Sequence, residues 1–476
     1  MKIKLILVAI LFFLISCNSS TKTSHKDLSL KIENTETRES GFIEVPENRT
    51  LKNNKTIKLA YVVIKSRNSN SKKHPILYLQ GGPGAPTLFM ERFWENNNLR
   101  NDRDIVLMDQ RGTGLSNSIC SDFGSKMFAV LAKNLSPEGE YHEMRKLLKK
   151  CKSIAIDKEI DLSAYNSKEN AADFEDLRKH LGYEKWNVYG GSYGSRLALT
   201  IMRDFPEAVR TGTIFGVFSP EVSLYDDLIN NFEQSLFGVF QECNNDLDCS
   251  KRYPALKKEL FKALDILDKT PYEFDLNGNS FILNSQDMLL AVHQMLYSRA
   301  TIAQIPLFIK AVNNKNVDII KRGLQPTINV SNLINFAMNM SMNANDELPF
   351  TSERTKAFFA NANSNSKKAL IPAYFASDIK LLEEWHPYRS LPIENEPVVS
   401  DIPTLIANGK FDPVTPPRNA ILASKNLSNS YYAEFKSDGH SFFNSCFFNI
   451  SREFLDAPYK EPDFSCLNQN TNIRWN

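Results

Sequence analysis

A short apolar run near the middle of the chain enters a glycine-rich turn and leaves it as a helical pattern. The run is Trp186–Tyr189, the turn is Gly190–Gly194, and the helical pattern over Ser195–Phe205 stops before Pro206. A buried strand that turns directly into a helix is typical of parallel sheets with helices on both faces. This segment therefore predicts an α/β fold.

Further short apolar runs repeat the arrangement, each ending in a loop or turn, as buried strands do. Additional strands are predicted at Gly41–Val45, Thr56–Ile64, Ile76–Leu79, Ile105–Met108, Thr211–Val217, Thr404–Ala407 and Tyr431–Phe435, with a further helix at Asn170–Leu181. The order of strands and helices predicts a doubly wound, mostly parallel sheet. Ligands of such sheets bind beyond the carboxyl ends of the strands.

A long region rich in Asn, Lys and Phe separates the strand that ends at Val217 from the strand that begins at Thr404. Its pattern over residues 219–398 is mainly helical, and strand-like runs resume only after it. We interpret it as a cap inserted into a sheet domain formed by residues 41–218 and 399–476.

The composition is that of a globular protein without a nucleic-acid partner. Of 476 residues, 42% are hydrophobic and 24% are charged, which is ample material for a core. The formal net charge is only +2, and no cluster of Lys and Arg alternates with aromatic residues. These properties argue against binding of nucleic acid.

The N-terminus has the pattern of a secretion signal. Lys2 and Lys4 precede the apolar run Leu5–Ile15, which is short for a membrane span but suits a signal peptide over residues 1–17. The ending Ser-Cys resembles a bacterial lipobox, so we expect a lipid on Cys17 and a flexible tether over residues 18–40. The expected location is the cell envelope, on a membrane; an ordinary signal peptide with an incidental Cys is the alternative.

Export changes the interpretation of the remaining cysteines. Seven cysteines less the lipidated one leave six, and an oxidising compartment favours disulfides over a metal site. Six cysteines allow fifteen connectivities, so a pairing by proximity along the chain is a hypothesis. The proposed pairs are Cys120–Cys151, Cys243–Cys249 and Cys446–Cys466. No spacing resembles a metal-binding motif, and we expect no metal and no cofactor.

Gly190-Gly191-Ser192-Tyr193-Gly194 fits the pattern G-x-S-x-G, in which a strained turn exposes a Ser hydroxyl. The pattern alone is weak, and its support comes from the apolar strand before it and the helix after it. We therefore take Ser192 as the candidate nucleophile. A glycine-rich turn with a buried, hydrogen-bonded Ser is the alternative.

A serine hydroxyl needs a base to accept its proton and an acid to orient that base. Asp412 follows the strand at Leu405 on a tight loop, and His440 follows the strand that ends near Phe435. We predict His440 as the base and Asp412 as the acid, with turn-forming roles as the alternative for each. Asp438 is the rival acid, but it lies so close to the histidine that a role in shaping the turn is favoured.

Backbone N–H donors aimed at a developing oxyanion stabilise it by roughly 3 to 4 kcal/mol each. One donor should be Tyr193, the residue after the nucleophile. The second should be Gly82, with Gly81 as the next choice, in the loop Gln80–Gly84 after the strand at Leu77. A phosphate-binding loop fits poorly, because no Lys-Ser or Lys-Thr follows and G-x-G-x-x-G is absent.

The segment Asp109–Gly114 combines a charge pair with two glycines at the end of a strand. Such a composition is typical of an ordered turn. We predict a structural role, in which this segment braces the active-site loops.

Six stretches together resemble a known family, the tripeptidyl and prolyl aminopeptidase branch (TAP-like, proline iminopeptidase-like) of the α/β hydrolases. They occur in family order and are Gly41–Arg49, Gly81–Gly84, Asp109–Ser116, Gly190–Gly194, Asp412–Pro417 and Gly439–His440. The resemblance implies an α/β-hydrolase fold with a mainly helical cap and assigns the roles of Ser192, Asp412 and His440. The family's cysteines are similar to the three pairs proposed above.

The resemblance also implies an exported serine aminopeptidase that releases residues or short peptides from peptide N-termini through an acyl-enzyme. An esterase or amidase of the same mechanism is the first alternative, and a noncatalytic binding protein on a hydrolase fold is the second. Gln80 stands where proline iminopeptidases usually have His, which argues against strict prolyl specificity. Glu221, Glu233 and Glu242 are candidates for binding the substrate amino terminus; solvated helix carboxylates are the alternative.

Overall fold

The computed structural model describes residues 32, 34–52, 55–360, 373–387, 389–469 and 471–476. The predicted signal peptide, the lipidation site Cys17 and most of the predicted tether lie outside the described residues.

Eight strands form one sheet. They are β1 Arg38–Pro46, β2 Thr56–Ile64, β3 Ile76–Leu79, β4 Ile105–Met108, β5 Trp186–Ser192, β6 Val209–Val217, β9 Thr404–Gly409 and β10 Ser430–Phe435; a separate hairpin pairs β7 Tyr272–Leu276 with β8 Asn279–Leu283. The order in the sheet is β1-β2-β4-β3-β5-β6-β9-β10. The pairs β1/β2 and β2/β4 are antiparallel and the other neighbours are parallel.

Every residue of β3 and of β4 is buried, because helices cover both faces of the sheet. This explains why these strands appear in the sequence as continuous apolar runs, and the predicted α/β class and mostly parallel sheet are confirmed. The tether predicted over residues 18–40 overlaps the first strand, because β1 begins at Arg38 and pairs with β2. Glu39 in this strand forms an ion pair of 2.7 Å with Lys65.

Helices flank the sheet and form most of the region between β6 and β9. They are α1 Glu91–Glu95, α2 Phe123–Leu131, α3 Pro137–Asp157, α4 Ser167–Leu181, α5 Tyr193–Asp204, α6 Leu224–Asn245, α7 Leu247–Arg252, α8 Leu256–Lys269, α9 Ser285–Met295, α10 Arg299–Ile302, α11 Ile305–Asn313, α12 Val317–Leu333, α13 Phe336–Asp346, α14 Glu353–Ala360, α15 Ala373–Trp385, α16 Pro417–Ser424 and α17 Ser445–Asp456. Within the described ranges, none of them is long and apolar enough to cross a membrane.

The region between β6 and β9, called the cap below, is mainly helical and also contains the β7–β8 hairpin, which the sequence pattern did not predict. Three disulfides crosslink the chain in the proposed pairing. They are Cys120–Cys151, Cys243–Cys249 and Cys446–Cys466. The second of them joins α6 to α7 within the cap, and the third joins α17 to the chain that follows it.

The segment Asp109–Gly114 has the structural role that its composition predicts. The Asp109 carboxylate accepts a hydrogen bond of 2.7 Å from the backbone N–H of Thr87. The Arg111 guanidinium donates two hydrogen bonds, of 2.8 and 2.7 Å, to Asp173 in α4. These contacts connect the end of β4 to a helix of the sheet domain and to the chain beyond β3, which stabilises the loops at this edge of the sheet.

A buried pair of carboxyl groups lies between α3 and α9. Glu140 is only 1% exposed, and within the described ranges neither of its carboxylate oxygens has a hydrogen-bond partner. Burial, with the charge of Asp287 as a second cause, raises the pKa of Glu140 to about 9. Burial also raises the pKa of Asp287 to about 8. The folded chain therefore holds protons that the unfolded chain releases.

Replacing Glu140 by glutamine is expected to stabilise the fold by an amount that grows with pH. The unfolded carboxyl group loses its proton near its ordinary pKa of 4.5, whereas the folded one keeps it up to about 9, so the wild type loses stability as pH rises between these values. Urea unfolding should show a gain of about 5 kcal/mol at pH 8 and almost none at pH 4.5.

The matched control is Glu143→Gln on the same helix. Glu143 forms a 2.5 Å ion pair with Lys146 on the surface of α3, and the hydrogen bond from this lysine lowers its pKa. This substitution should bring no gain that grows with pH. Equal effects of the two substitutions at pH 8 would contradict the assignment.

Candidate active site

Ser192 ends β5 in a backbone conformation that side chains rarely adopt. Its φ is 55° and its ψ is −129°, and the pairing of β5 with β6 shifts register between Gly191 and Ser192. The next residue, Tyr193, begins α5. This is the strained turn that G-x-S-x-G predicts, and it places Ser192 at the carboxyl end of the strand, where ligands bind in such sheets.

The glycines on either side of Ser192 are required by close backbone contacts. A Cβ atom on Gly190 would lie 2.1 Å from the carbonyl oxygen of Gly194, and one on Gly194 would lie 2.1 Å from the carbonyl oxygen of Leu79. No side chain fits at such distances. The motif spacing therefore reflects how closely the turn approaches β3.

Asp412 and His440 lie together although the sequence separates them. Atoms His440 Nδ1 and Asp412 Oδ2 are 2.7 Å apart, and Asp412 is fully buried. The second oxygen, Oδ1, accepts hydrogen bonds of 2.8 Å from the backbone N–H groups of Val414 and Thr415. A carboxylate held in this way fixes the imidazole with its proton on Nδ1 and leaves Nε2 as the basic nitrogen.

Thr415 joins this pair, and sequence reasoning gave it no role. Its hydroxyl donates a 2.7 Å hydrogen bond to Asp412 Oδ2 and lies 3.2 Å from His440 Nδ1. The available signal was its position three residues after an aspartate, a spacing at which the aspartate side chain closes a turn. The hydroxyl fixes the carboxylate that orients the imidazole.

Replacing Thr415 by valine should lower kcat about tenfold with little change in KM, because the carboxylate loses a charge-assisted donor close to the imidazole. The carboxylate then carries more negative charge, so the acidic limb of the kcat/KM profile should move to higher pH. Thr415→Ser, which keeps the hydroxyl, should restore both properties. A loss that serine does not rescue would indicate a packing role only.

Asp438, the rival acid, has another partner. Its Oδ2 accepts a 2.5 Å hydrogen bond from the guanidinium of Arg299, which begins helix α10 of the cap. The backbone N–H of Phe411 donates to the Asp438 carbonyl oxygen at 3.0 Å. Asp438 therefore shapes the turn before the histidine and ties it to the cap, as the favoured interpretation states.

The cap also contacts His440 itself. The Tyr297 ring lies 4.8 Å from the imidazole ring, centroid to centroid, and the Tyr297 carbonyl oxygen accepts a 2.7 Å hydrogen bond from the backbone N–H of Ser441. His293, one turn earlier, is buried nearby, and burial together with the charge of His440 lowers its pKa to about 3. His293 is therefore neutral at physiological pH.

The glycine-rich loop after β3 packs against Ser192. A Cβ atom on Gly81 would lie 3.5 Å from Ser192 Oγ, and Gly81, Gly82 and Tyr193 all line the same cavity as Ser192. A side chain at position 81 would therefore crowd Ser192, and glycine lets the loop pass close to it. The role of Gly82 and Tyr193 as oxyanion donors stays a prediction.

The start of α13 holds this loop from the cap side. The backbone N–H of Asn335 donates a 2.9 Å hydrogen bond to the carbonyl oxygen of Gly84, and the Asn339 side chain donates one of 3.0 Å to the carbonyl oxygen of Pro83. No local pattern predicts these contacts, because they depend on where the cap docks.

A cavity of about 440 Å³ lies against Ser192 and His440 between the sheet domain and the cap. Its walls are mostly apolar. They include Met127 and Leu131 of α2, Leu228 of α6 and Leu290 of α9. A cavity of this size holds a small organic ligand or the acyl part of a larger one.

The three carboxylates proposed for the substrate amino terminus are not among the residues that line this cavity. Glu242 forms a 2.5 Å ion pair with Lys410, and Glu221 accepts a hydrogen bond from Ser219. Glu233 lies on α6, where burial raises its pKa. Leu224 and Leu228 of α6 line the cavity, whereas Glu233 and Glu242 on the same helix do not. Glu221 precedes α6, and its Oε1 is buried without a hydrogen-bond partner within the described residues. Binding of an amino terminus by these glutamates stays a prediction.

Three chemical parts meet at the cavity: a strained serine, an imidazole oriented by a buried carboxylate, and a glycine loop. A base beside a serine hydroxyl activates it toward carbonyl carbon, and backbone N–H groups stabilise the oxyanion that results. The arrangement can therefore cleave acyl compounds.

Several known proteins are similar to this chain. The profile of the α/β-hydrolase fold family matches residues 74–444. Over 433 residues the chain is 24% identical to a protein of Escherichia coli (strain K12) named "Putative hydrolase YuaR", with 84% of this chain and 81% of that protein covered. A solved serine hydrolase from the polyaromatic hydrocarbon-degrading bacterium Cycloclasticus zankles covers 89% of this chain and 100% of its own, at 12% identity and a TM-score of 0.40.

Proline iminopeptidases match a shorter stretch. The enzyme of Arabidopsis thaliana is 31% identical over 146 residues, which are 30% of this chain and 27% of that enzyme. The enzyme of Xanthomonas citri is 30% identical over 145 residues, which are 30% of this chain and 32% of that enzyme. The chain thus spans about a third of the length of these enzymes. The family profile, in contrast, covers most of this chain, and the chain therefore belongs to the α/β-hydrolase family.

Proposed function

We propose that the protein is a serine hydrolase that cleaves a carboxylic ester or amide through an acyl-enzyme on Ser192. The observation that carries the proposal is the 2.7 Å contact between His440 and buried Asp412 at the cavity that Ser192 lines. A noncatalytic binding protein would need neither the strained turn at Ser192 nor a histidine oriented by a buried carboxylate at the same cavity.

The reaction has two halves. Ser192 Oγ attacks the carbonyl carbon while His440 Nε2 takes the hydroxyl proton; the alcohol or amine then leaves with that proton. Water, deprotonated by His440, attacks the acyl-enzyme and releases the acid, and Ser192 regains its proton. Backbone N–H groups of Tyr193 and of the Gln80–Gly84 loop stabilise the oxyanion in both halves.

A fluorophosphonate probe tests the chemistry without knowledge of the substrate. It should label the wild-type protein at Ser192 at a rate that falls as His440 becomes protonated, and it should not label Ser192→Ala. Labelling of the wild type no faster than of the variant would reject the hydrolase and favour a noncatalytic protein.

An aminopeptidase is the second candidate. Its support is the motif order from Gly41 to His440 and the partial similarity to proline iminopeptidases. Release of an arylamine from aminoacyl arylamides, dependent on a free amino group, would favour this candidate.

We also propose that the enzyme is exported and anchored by a lipid on Cys17. The support is the charged and apolar N-terminal pattern and the three disulfides, which form in oxidising compartments. Cys17→Ala should abolish incorporation of labelled palmitate and release the protein from membranes. Unchanged labelling of this variant would reject the anchor.

A further inference from the structure

The cavity at Ser192 is lined by uncharged side chains, apart from its two histidines. Its lining within the described ranges includes no Asp, Glu, Lys or Arg. His293, one of the two histidines, is neutral because of burial. An ammonium group that entered this cavity would therefore lose its water without meeting a carboxylate, which is costly.

Two buried carboxylates near the cavity are already bonded to the protein. Glu347 forms a 2.5 Å ion pair with Arg196 and accepts a 3.1 Å hydrogen bond from the backbone N–H of Leu224, a lining residue. The two oxygens of Asp346 accept hydrogen bonds of 2.6 and 2.8 Å from the hydroxyls of Ser167 and Ser390. Neither residue lines the cavity.

Two neutral amides supply polar contacts on the cap side. The Asn343 amide nitrogen donates a 3.1 Å hydrogen bond to Asn339 Oδ1, and the Asn339 amide nitrogen donates one of 3.0 Å to the carbonyl oxygen of Pro83. Both asparagines line the cavity. These two hydrogen bonds fix the orientation of both amides. Among the described residues they leave Asn343 Oδ1 as a free acceptor at the end of the series, which suits the N–H of a neutral amide group.

We infer that the acyl group of the substrate is apolar and uncharged, and that Asn343 is a specificity-determining residue for it. The inference rests on the proposed hydrolase and deepens it. Suitable substrates are simple carboxylic esters and amides and N-blocked amino acid derivatives, whereas amino acid derivatives with a free ammonium group bind poorly.

Three arylamides with the same side chain test the inference on the wild-type enzyme. They are the leucyl, the N-acetyl-leucyl and the 4-methylpentanoyl compound, of which the last lacks the amino group. At pH 7 we expect kcat/KM for the leucyl compound to be at least about tenfold below that of the other two. A preference for the leucyl compound at pH 7 would overturn the inference.

The pH dependence of the ratio provides a second test. An α-amino group has a pKa of about 7.7 to 8.0, so the leucyl compound becomes neutral between pH 7 and pH 9. Its kcat/KM relative to the 4-methylpentanoyl compound should therefore rise over this range. The titration of the enzyme cancels in the ratio, and a ratio that falls with pH contradicts the inference.

A charge introduced at position 343 should reverse the preference. Asn343→Asp adds a carboxylate to the cavity wall, whereas Asn343→Leu removes the same hydrogen bond without adding charge. The ratio of leucyl to 4-methylpentanoyl turnover should be at least about tenfold higher in Asn343→Asp than in Asn343→Leu. Equal ratios in the two variants would overturn the role of Asn343, and Asn70→Asp, an exposed position, should leave the wild-type ratio unchanged.

Fluorophosphonate labelling separates failure of this inference from failure of the proposed function. It reports whether each variant is folded and whether Ser192 is reactive, whatever the acyl preference. If the probe labels the wild-type enzyme and the enzyme prefers the leucyl compound, only the inference of an uncharged acyl group is rejected. Absence of labelling in the wild type rejects both.

Discussion

Ser192→Ala should lower kcat by about a millionfold, because the variant has no hydroxyl to form the acyl-enzyme. Binding through the cavity walls is unaffected, so KM should change little. The remaining rate should come from the glycine loop and from substrate binding, and it should not require the imidazole of His440.

Steady-state hydrolysis of 4-nitrophenyl butyrate, with product release followed by absorbance, measures this loss. The control is Ser125→Ala, at an exposed position of α2, which should retain wild-type kcat. A Ser192→Ala enzyme that keeps more than a hundredth of the activity would show that another group is the nucleophile.

Asp412→Asn should lower kcat by about ten-thousandfold. The carboxamide keeps the shape of the carboxylate, but its NH₂ group faces either the imidazole or the backbone N–H groups of Val414 and Thr415. The imidazole then holds its proton on Nε2, where the base is needed, and it also loses the charge that stabilises it when protonated. The fold should persist because the loop keeps its shape.

Asp438→Asn is the matched control, since it makes the same change in the rival acid. It weakens the 2.5 Å contact with Arg299, and we expect a loss of stability with at most about a tenfold loss of kcat. Circular dichroism and the hydrolysis assay together distinguish the two effects. Comparable losses of kcat in the two variants would contradict the assignment of Asp412.

Local sequence patterns predicted the strands of the sheet, because a strand that is buried on both faces consists of a short run of apolar residues. The bounds of β2, β3 and β4 agree with the prediction residue for residue. Ser192, Asp412 and His440 could be proposed as a triad because each follows such a strand, and the carboxyl ends of parallel strands share one edge.

The parts that could not be predicted depend on how the cap packs. Asn339 and Tyr297 acquire their contacts only when distant segments meet, and no local pattern encodes such a meeting. The glutamates of the cap were only candidates for a related reason: a helical pattern gives the period of its faces but does not say which face meets the cavity.

The placement of the cap between β6 and β9 affects how activity arises during folding. The chain must close a very long loop before β9 can join β6, and contacts between residues so far apart in sequence form late. The acid and the base both follow that loop, so a nascent or partly refolded chain already carries its serine turn while it still lacks the groups that make the hydroxyl reactive. Hydrolysis should therefore be the last property to appear on refolding, well after the helices have formed.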